Sequence, residues 1–147
     1  MELPEYISKK EVGRVCQELG IRDWSELTEP RVNPEEAQRI QRQIGAETSQ
    51  IPLEAFRQGL EVELEHGLVF PDANVTQNHP LLTGMIVLAH LKEMLDYYER
   101  LTVAELEGDL LKAAASGDAA ALLSKYQKLV AARAGLHARE QTKLNTD

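Results

Sequence analysis

A chain of 147 residues with 43% hydrophobic and 5% aromatic residues and a formal net charge of −8 is long enough for one packed core. The acidic balance argues against nonspecific nucleic-acid binding, which needs a basic face. Cys16, the single cysteine, excludes an internal disulfide framework, and no apolar run approaches a membrane span of about 20 residues. MELPEYISKK has no apolar stretch of signal-peptide length, so a cytoplasmic location is expected.

Ser8 and Glu11 form a capping box that opens a short helix through Leu19, stopped by Gly20. Its stripe of Val12, Val15, Cys16 and Leu19 makes Cys16 a packed small hydrophobe rather than a nucleophile. Ile21, Trp24 and Leu27 predict a further turn that plugs the core. After a linker at Pro30, Asn33 caps a helix beginning at Pro34, with Glu36 completing a second box and Gly45 ending it. The seam of Ala37, Ile40, Gln41 and Ile44 is thin and predicts a surface helix. Residues 46–51 read as loop, and Pro52 then starts a helix that Gly67 ends.

Pro71, Asp72, Asn74, Asn78 and Pro80 make 68–82 a loop, longer than most helix–helix links and therefore a candidate cover for a site. Val69, Phe70 and Val75 are expected to pin it to the core, and His79 to be solvated. Thr83 caps the next helix, which is expected to reach about Arg100. Thr102 and Glu105 open another, with Val103, Leu106, Leu110 and Leu111 as its stripe. Ser116-Gly117-Asp118 turns into a last helix carrying Leu122, Leu123, Tyr126, Leu129 and Val130, and the polar tail 136–147 is expected to fray. Every apolar run has helical spacing. The expected fold is all-α, a single domain over 1–147 built as an irregular bundle of about six helices.

Polar chemistry concentrates in two of these helices. On a helical wheel, Glu54, Arg57, Gln58, Glu61 and Glu65 face water, whereas Glu63 and His66 fall inside the apolar arc. His90 likewise lies among apolar positions of its helix, with Glu93 at their edge. A carboxylate turned inward must be neutralised, paired or bound to metal. Two i, i+3 pairs on neighbouring helices can converge, so Glu63, His66, His90 and Glu93 are the candidate metal ligands. Glu-x-x-His is the spacing of di-iron bundles, but the second copy is reversed and two further carboxylates are missing. One divalent ion fits better, with zinc favoured by donor type and iron, manganese or nickel compatible. The competing expectation is a metal-free network that satisfies the buried groups and fixes helix register. No catalytic residue is assigned. A noncatalytic interaction module, acting through the acidic surface or as a homodimer along Leu106–Val130, is the other functional class.

GLEVELEHG and TGMIVLAHLKEMLDYYERL resemble the signature of an uncharacterised family of small bacterial and phage-associated proteins: E-L-E-H-[GT], a short loop, then I-A-x-H-L-x-E-x-P-x-Y-Y-x-x-L. The likeness covers 59–101, with matches at Glu63, Glu65, His66, His90, Leu91, Glu93, Tyr97, Tyr98 and Leu101. His79 stands where the family more often has Asp. Met94-Leu95 replaces its proline-containing step, which predicts a continuous helix through Tyr98. The resemblance implies no activity.

Overall fold

A computed structural model of the protein describes residues 7–45 and 50–145, and these hold six α-helices and no strand. They are α1 (Lys9–Leu19), α2 (Pro34–Gln43), α3 (Leu53–Val69), α4 (Pro80–Glu93), α5 (Tyr97–Ser116) and α6 (Ala119–Leu144). The all-α expectation is met. No described helix is long and apolar enough to cross a membrane. The loop expected over 46–51 lies mostly outside the described residues. The chain divides into two compact units, Met1–Leu95 and Asp96–Asp147.

In the first unit the Ser8 hydroxyl accepts the Glu11 N–H at 3.2 Å, but the Glu11 carboxylate turns to Arg14, so only half of the first box forms. Val12, Val15 and Cys16 are buried, and a 3₁₀ turn at Trp24–Glu26 drives Trp24 fully into the core. The Trp24 backbone N–H donates to Cys16 Sγ at 3.4 Å, and burial pushes the thiol above its ordinary value. Cys16 is a core residue.

α2 departs from its expected surface position. Glu36, Ala37, Ile40 and Gln41 are buried, and the helix packs on both α3 and α4. The thin seam suffices because α4 comes close at Gly84, where a Cβ would stand 2.8 Å from Ile40 Cγ2 and 3.4 Å from Phe56 Cζ. Glu36 also does more than cap. It accepts the Asn33 N–H at 3.0 Å, the Arg22 N–H at 3.1 Å and two guanidinium bonds from Arg22 at 2.9 and 2.6 Å. One buried carboxylate thus ties the start of α2 to the segment after α1. Glu61, expected on the water-facing side, is only 28% exposed because it accepts the Val32 N–H at 3.0 Å and pairs with Arg57.

Helix limits differ from the expected ones at four places. Gly67 does not stop α3, which continues to Val69. α4 begins at Pro80 rather than after Thr83, and its cap is His79, buried rather than solvated, whose Nδ1 accepts the Leu82 N–H at 3.4 Å. The helix through Tyr98 is interrupted: Met94 is extended (φ −148°, ψ 126°) and α5 starts at Tyr97. Met and Leu are good helix formers, so intrinsic propensity does not account for this break. Finally, Thr102 lies inside α5, its hydroxyl donating to the Tyr98 carbonyl at 2.9 Å, so no new helix starts there.

The second unit is a hairpin of α5 and α6 around Gly117-Asp118, with Asp118 accepting the Ala121 N–H at 2.9 Å. α6 is helical through Leu144, across the stretch where fraying was expected. Ion pairs cross the hairpin at Asp109–Lys125, Glu107–Arg133 and Glu99–Arg139. Asp96, at the start, takes Arg100 at 3.0 Å and Lys143 at 3.2 Å. Leu129 and Ala113 are buried in this unit, whereas Leu111, Leu123, Tyr126 and Val130 are exposed.

Candidate functional site

α3 buries Ala55, Phe56, Gly59, Leu60, Leu64 and Gly67, and Glu63 falls within that arc. Its side chain keeps 18% exposure because it opens onto a pocket rather than into the packed core. Two imidazoles flank it. His66 Nδ1 is 3.9 Å from Glu63 Oε2, and His90 Nε2, from α4, is 3.9 Å from Glu63 Oε1. Both distances are longer than a direct hydrogen bond.

Three of the four expected residues therefore meet, and Glu63 is their hub. Burial is less than the wheel suggested. The His66 side chain is 46% exposed and that of His90 32%, so the imidazoles sit at the surface end of the centre. His66 lies at the edge of the buried arc, near the C-terminal end of α3, where packing thins. Glu93 is exposed at the last position of α4, away from the Pro80, Thr83, Gly84, Val87 and Leu91 face. Among the described residues no group of three or more His, Cys, Asp or Glu side chains is placed to hold a metal ion.

Beside the centre lies a pocket of about 190 Å³, lined on α3 by Glu63, His66 and Gly67, on α4 by Thr83 and Ile86, and on the connecting loop by Phe70, Ala73, Asn74, Val75 and Thr76. The loop is held by its asparagines and not by the apolar residues expected to pin it. Val69, Phe70 and Val75 are exposed. Asn74 Nδ2 donates to the Gly67 carbonyl at 3.2 Å and to Asn78 Oδ1 at 2.8 Å, and the Thr76 hydroxyl donates to Asn74 Oδ1 at 3.2 Å. Asn78 is buried with φ 60°, a left-handed conformation that Asn tolerates. Gly67 is glycine for this reason: a Cβ there would stand 2.8 Å from Asn74 Nδ2 and collide with Asn78 Oδ1.

Thr83 is the pocket residue that sequence reasoning misassigned. It is 2% exposed and lines the pocket, and its Oγ1 is buried with no hydrogen-bond partner among the described residues. Its Ser/Thr character before an apolar run suggested a cap, but His79 takes that role one turn earlier.

Fold and site together define an all-α protein with a His–Glu–His centre at the mouth of a small, loop-covered pocket. Residues 12–107 match the family described as "Protein of unknown function (DUF5661)", and the chain belongs to that family. The matched stretch contains every residue of the centre and of the pocket. No curated protein and no solved structure matches the chain.

Proposed function

We propose that the protein binds a small molecule in this pocket, with Glu63 as the principal polar contact and His66 and His90 setting its charge environment. The supporting observation is that one inward carboxylate both pairs with two imidazoles and lines the pocket. The E-L-E-H and H-L-x-E segments are, on this reading, the family's signature because they supply Glu63, His66 and His90. The volume of about 190 Å³ is below the roughly 300–1,000 Å³ of drug-sized sites, so the ligand is fragment-sized. A fragment screen followed by ¹H–¹⁵N correlation spectra tests this. Hits should move the amides of Gly67, Thr76 and Thr83 together, and a screen whose hits all map elsewhere overturns the reading.

A divalent ion at the same centre, zinc first by donor type, is a second reading, favoured by the two imidazoles on opposite oxygens of Glu63. Two donors bound to one zinc at about 2.0–2.2 Å each stand at most about 4.4 Å apart, and roughly 3.4 Å apart in a tetrahedron. The imidazoles would have to close by about 0.5 Å each, and Glu93 would have to rotate inward to give a fourth ligand. His66→Ala is expected to cost about 1 kcal/mol, a small loss because the half-exposed site rehydrates. Tag-free protein should keep its Tm in chelator if the centre is metal-free. Stoichiometric metal that disappears in His66→Ala would establish the ion instead.

The hairpin supports a further proposal, a homodimer through the C-terminal helices. Leu123, Tyr126 and Val130 recur at helical spacing on α6 and are 60%, 55% and 50% exposed. A dimer mass in light scattering, reverting to monomer in Val130→Glu, is the expected outcome. A wild-type monomer at high concentration rules it out. The acidic surface, at net charge −8, argues against a nucleic-acid partner for either form.

A further inference from the structure

We infer that His79 is a proton-operated latch on the loop that covers the pocket: its neutral ring holds the loop's end against the first turn of α4, and protonation releases it. The latch stands whether or not the pocket takes a ligand. The loop ends in a conformation that its own residues do not favour. Gln77 (φ 50°) and Asn78 (φ 60°) are consecutive left-handed residues, neither of them glycine, and such a pair persists only where surrounding contacts impose it. Asn78 Oδ1 accepts from Asn74 Nδ2 at 2.8 Å, Gln77 Nε2 donates to the Asn74 carbonyl at 3.1 Å, and the His79 N–H donates to the Thr76 carbonyl at 2.9 Å. Those bonds lie within the loop. The His79 ring ties it to the helix, because Nδ1 accepts the Leu82 N–H at 3.4 Å.

That bond exists only for a neutral imidazole. Nδ1 must present a lone pair to Leu82, so the ring hydrogen sits on Nε2. A second proton would go to Nδ1, set N–H against N–H, and place a positive charge where the dipole of α4 is already positive. The residue is 7% exposed, so water offers that charge little relief. Burial, the largest influence, accordingly holds the imidazole below its ordinary value. Among the described residues, Glu11 and Arg14 of α1 are the charged groups that act on the ring, Glu11 raising and Arg14 lowering its proton affinity, and they are bonded to each other. α2 and α3 also pack on α4 and contribute no charge there. The closed loop thus disfavours the proton, and the opened loop, with the ring in water, does not. A group depressed in this way favours closure fully above its released value of about 6.5, and progressively less as pH falls below it. Opening withdraws Thr76 from the pocket wall, so on the small-molecule reading the site loosens in acid.

Amide hydrogen exchange of the full, ligand-free chain at pH 7.5 and 5.5, corrected for intrinsic rates, tests the latch. Protection at His79, Leu82 and Thr83 should fall several-fold over this interval, and by about tenfold at most, the limit for one proton taken up by a group that titrates near 6.5 when released. At both pH values it should stay below that of Ile40 and Leu60 in the core. Equal protection would mean that the unit unfolds as a whole, and the local latch fails. His79→Asn supplies a neutral cap that does not titrate, and it keeps His66, His90 and His137. Its protection should be the same at both pH values, and a fall matching wild type assigns the response to another group and overturns the inference. The imidazole carbon–proton signals of wild type give an arm that needs no variant. His79 should titrate below about 6.5, with the Leu82 amide shift following the same midpoint. A His79 that titrates at or above its ordinary value, or a Leu82 amide whose exchange ignores pH, overturns the latch.

Discussion

Replacing Glu36 by alanine is expected to cost about 3 kcal/mol, the loss of a buried charge-assisted network rather than of a helix cap alone. A cap residue is usually worth about 1 kcal/mol. Here the carboxylate is 4% exposed and accepts four bonds, from Asn33 N–H, Arg22 N–H and the Arg22 guanidinium. Its removal strands two backbone donors and frees Arg22, which is half exposed and can rehydrate, so the cost stays near the lower end for a broken buried pair. Burial pushes the Glu36 carboxyl upward, but the Arg22 guanidinium and the two backbone N–H groups outweigh it and hold the carboxyl below its ordinary value. A depressed carboxyl stabilises the fold fully above its unfolded value of about 4.3, and that contribution is lost as pH falls through the lower, folded value. Urea denaturation at pH 7 and at stepwise lower pH checks both points. Glu36→Gln should be destabilised at pH 7 and show a shallower decline in acid. A decline as steep as wild type would place the acid sensitivity elsewhere, first at Asp96, whose carboxyl is held low by Arg100 and then by Lys143.

Where the sequence was readable, the reason was local. Ser8, Asn33 and Asp118 precede helices in the expected way, and Val12, Val15, Cys16 and Trp24 follow a period that only a helix and its plug satisfy. Where it misled, a tertiary contact had overridden a local rule. Gly67 has the composition of a stop signal, yet it is glycine because Asn74 and Asn78 rest against it. Thr83 has the chemistry of a cap but is a pocket wall, and His79, whose ring nitrogen makes a less common cap, takes the position. Arg22 meets Glu36 across 14 residues, a pairing that no short-range pattern announces.

The site was legible in the same partial way. Glu63 could be found because one carboxylate of α3 left the polar face kept by Glu54 and Glu65, and inward carboxylates need partners. Its convergence with His90 followed from the matching i, i+3 spacing on two neighbouring helices. Glu93 shares that spacing, but the buried face of α4 is set by Thr83, Gly84, Val87 and Leu91 and turns it to solvent. The pocket itself was beyond reach. It exists because the loop folds back over Gly67, and that fold depends on two left-handed residues, Gln77 and Asn78, whose conformations composition does not specify.

Gly67 is therefore the residue through which the pocket can be taken apart from its loop side. Gly67→Val is expected to destabilise by about 3 kcal/mol, the sum of roughly 1–3 for overpacking and about 1 for lost hydrogen bonds. The new Cβ would stand 2.8 Å from Asn74 Nδ2 and collide with Asn78 Oδ1, both short side chains anchored by their own bonds. Asn78 is buried at positive φ and has little room to retreat, so the loop must lift and the Asn74–Gly67 bond must break. Lifting the loop removes Asn74, Val75 and Thr76 from the pocket wall, so fragment binding should disappear with the stability. Gly108 is the control. It also lies inside a helix, but a Cβ there meets nothing within 4 Å, so Gly108→Ala should stabilise by about 1 kcal/mol through helix propensity. Urea melts of the two variants should move in opposite directions. If Gly67→Val melts with wild type and still shows pocket shifts, the loop does not rest on Gly67, and the covered pocket is lost as an explanation of Asn74 and Asn78.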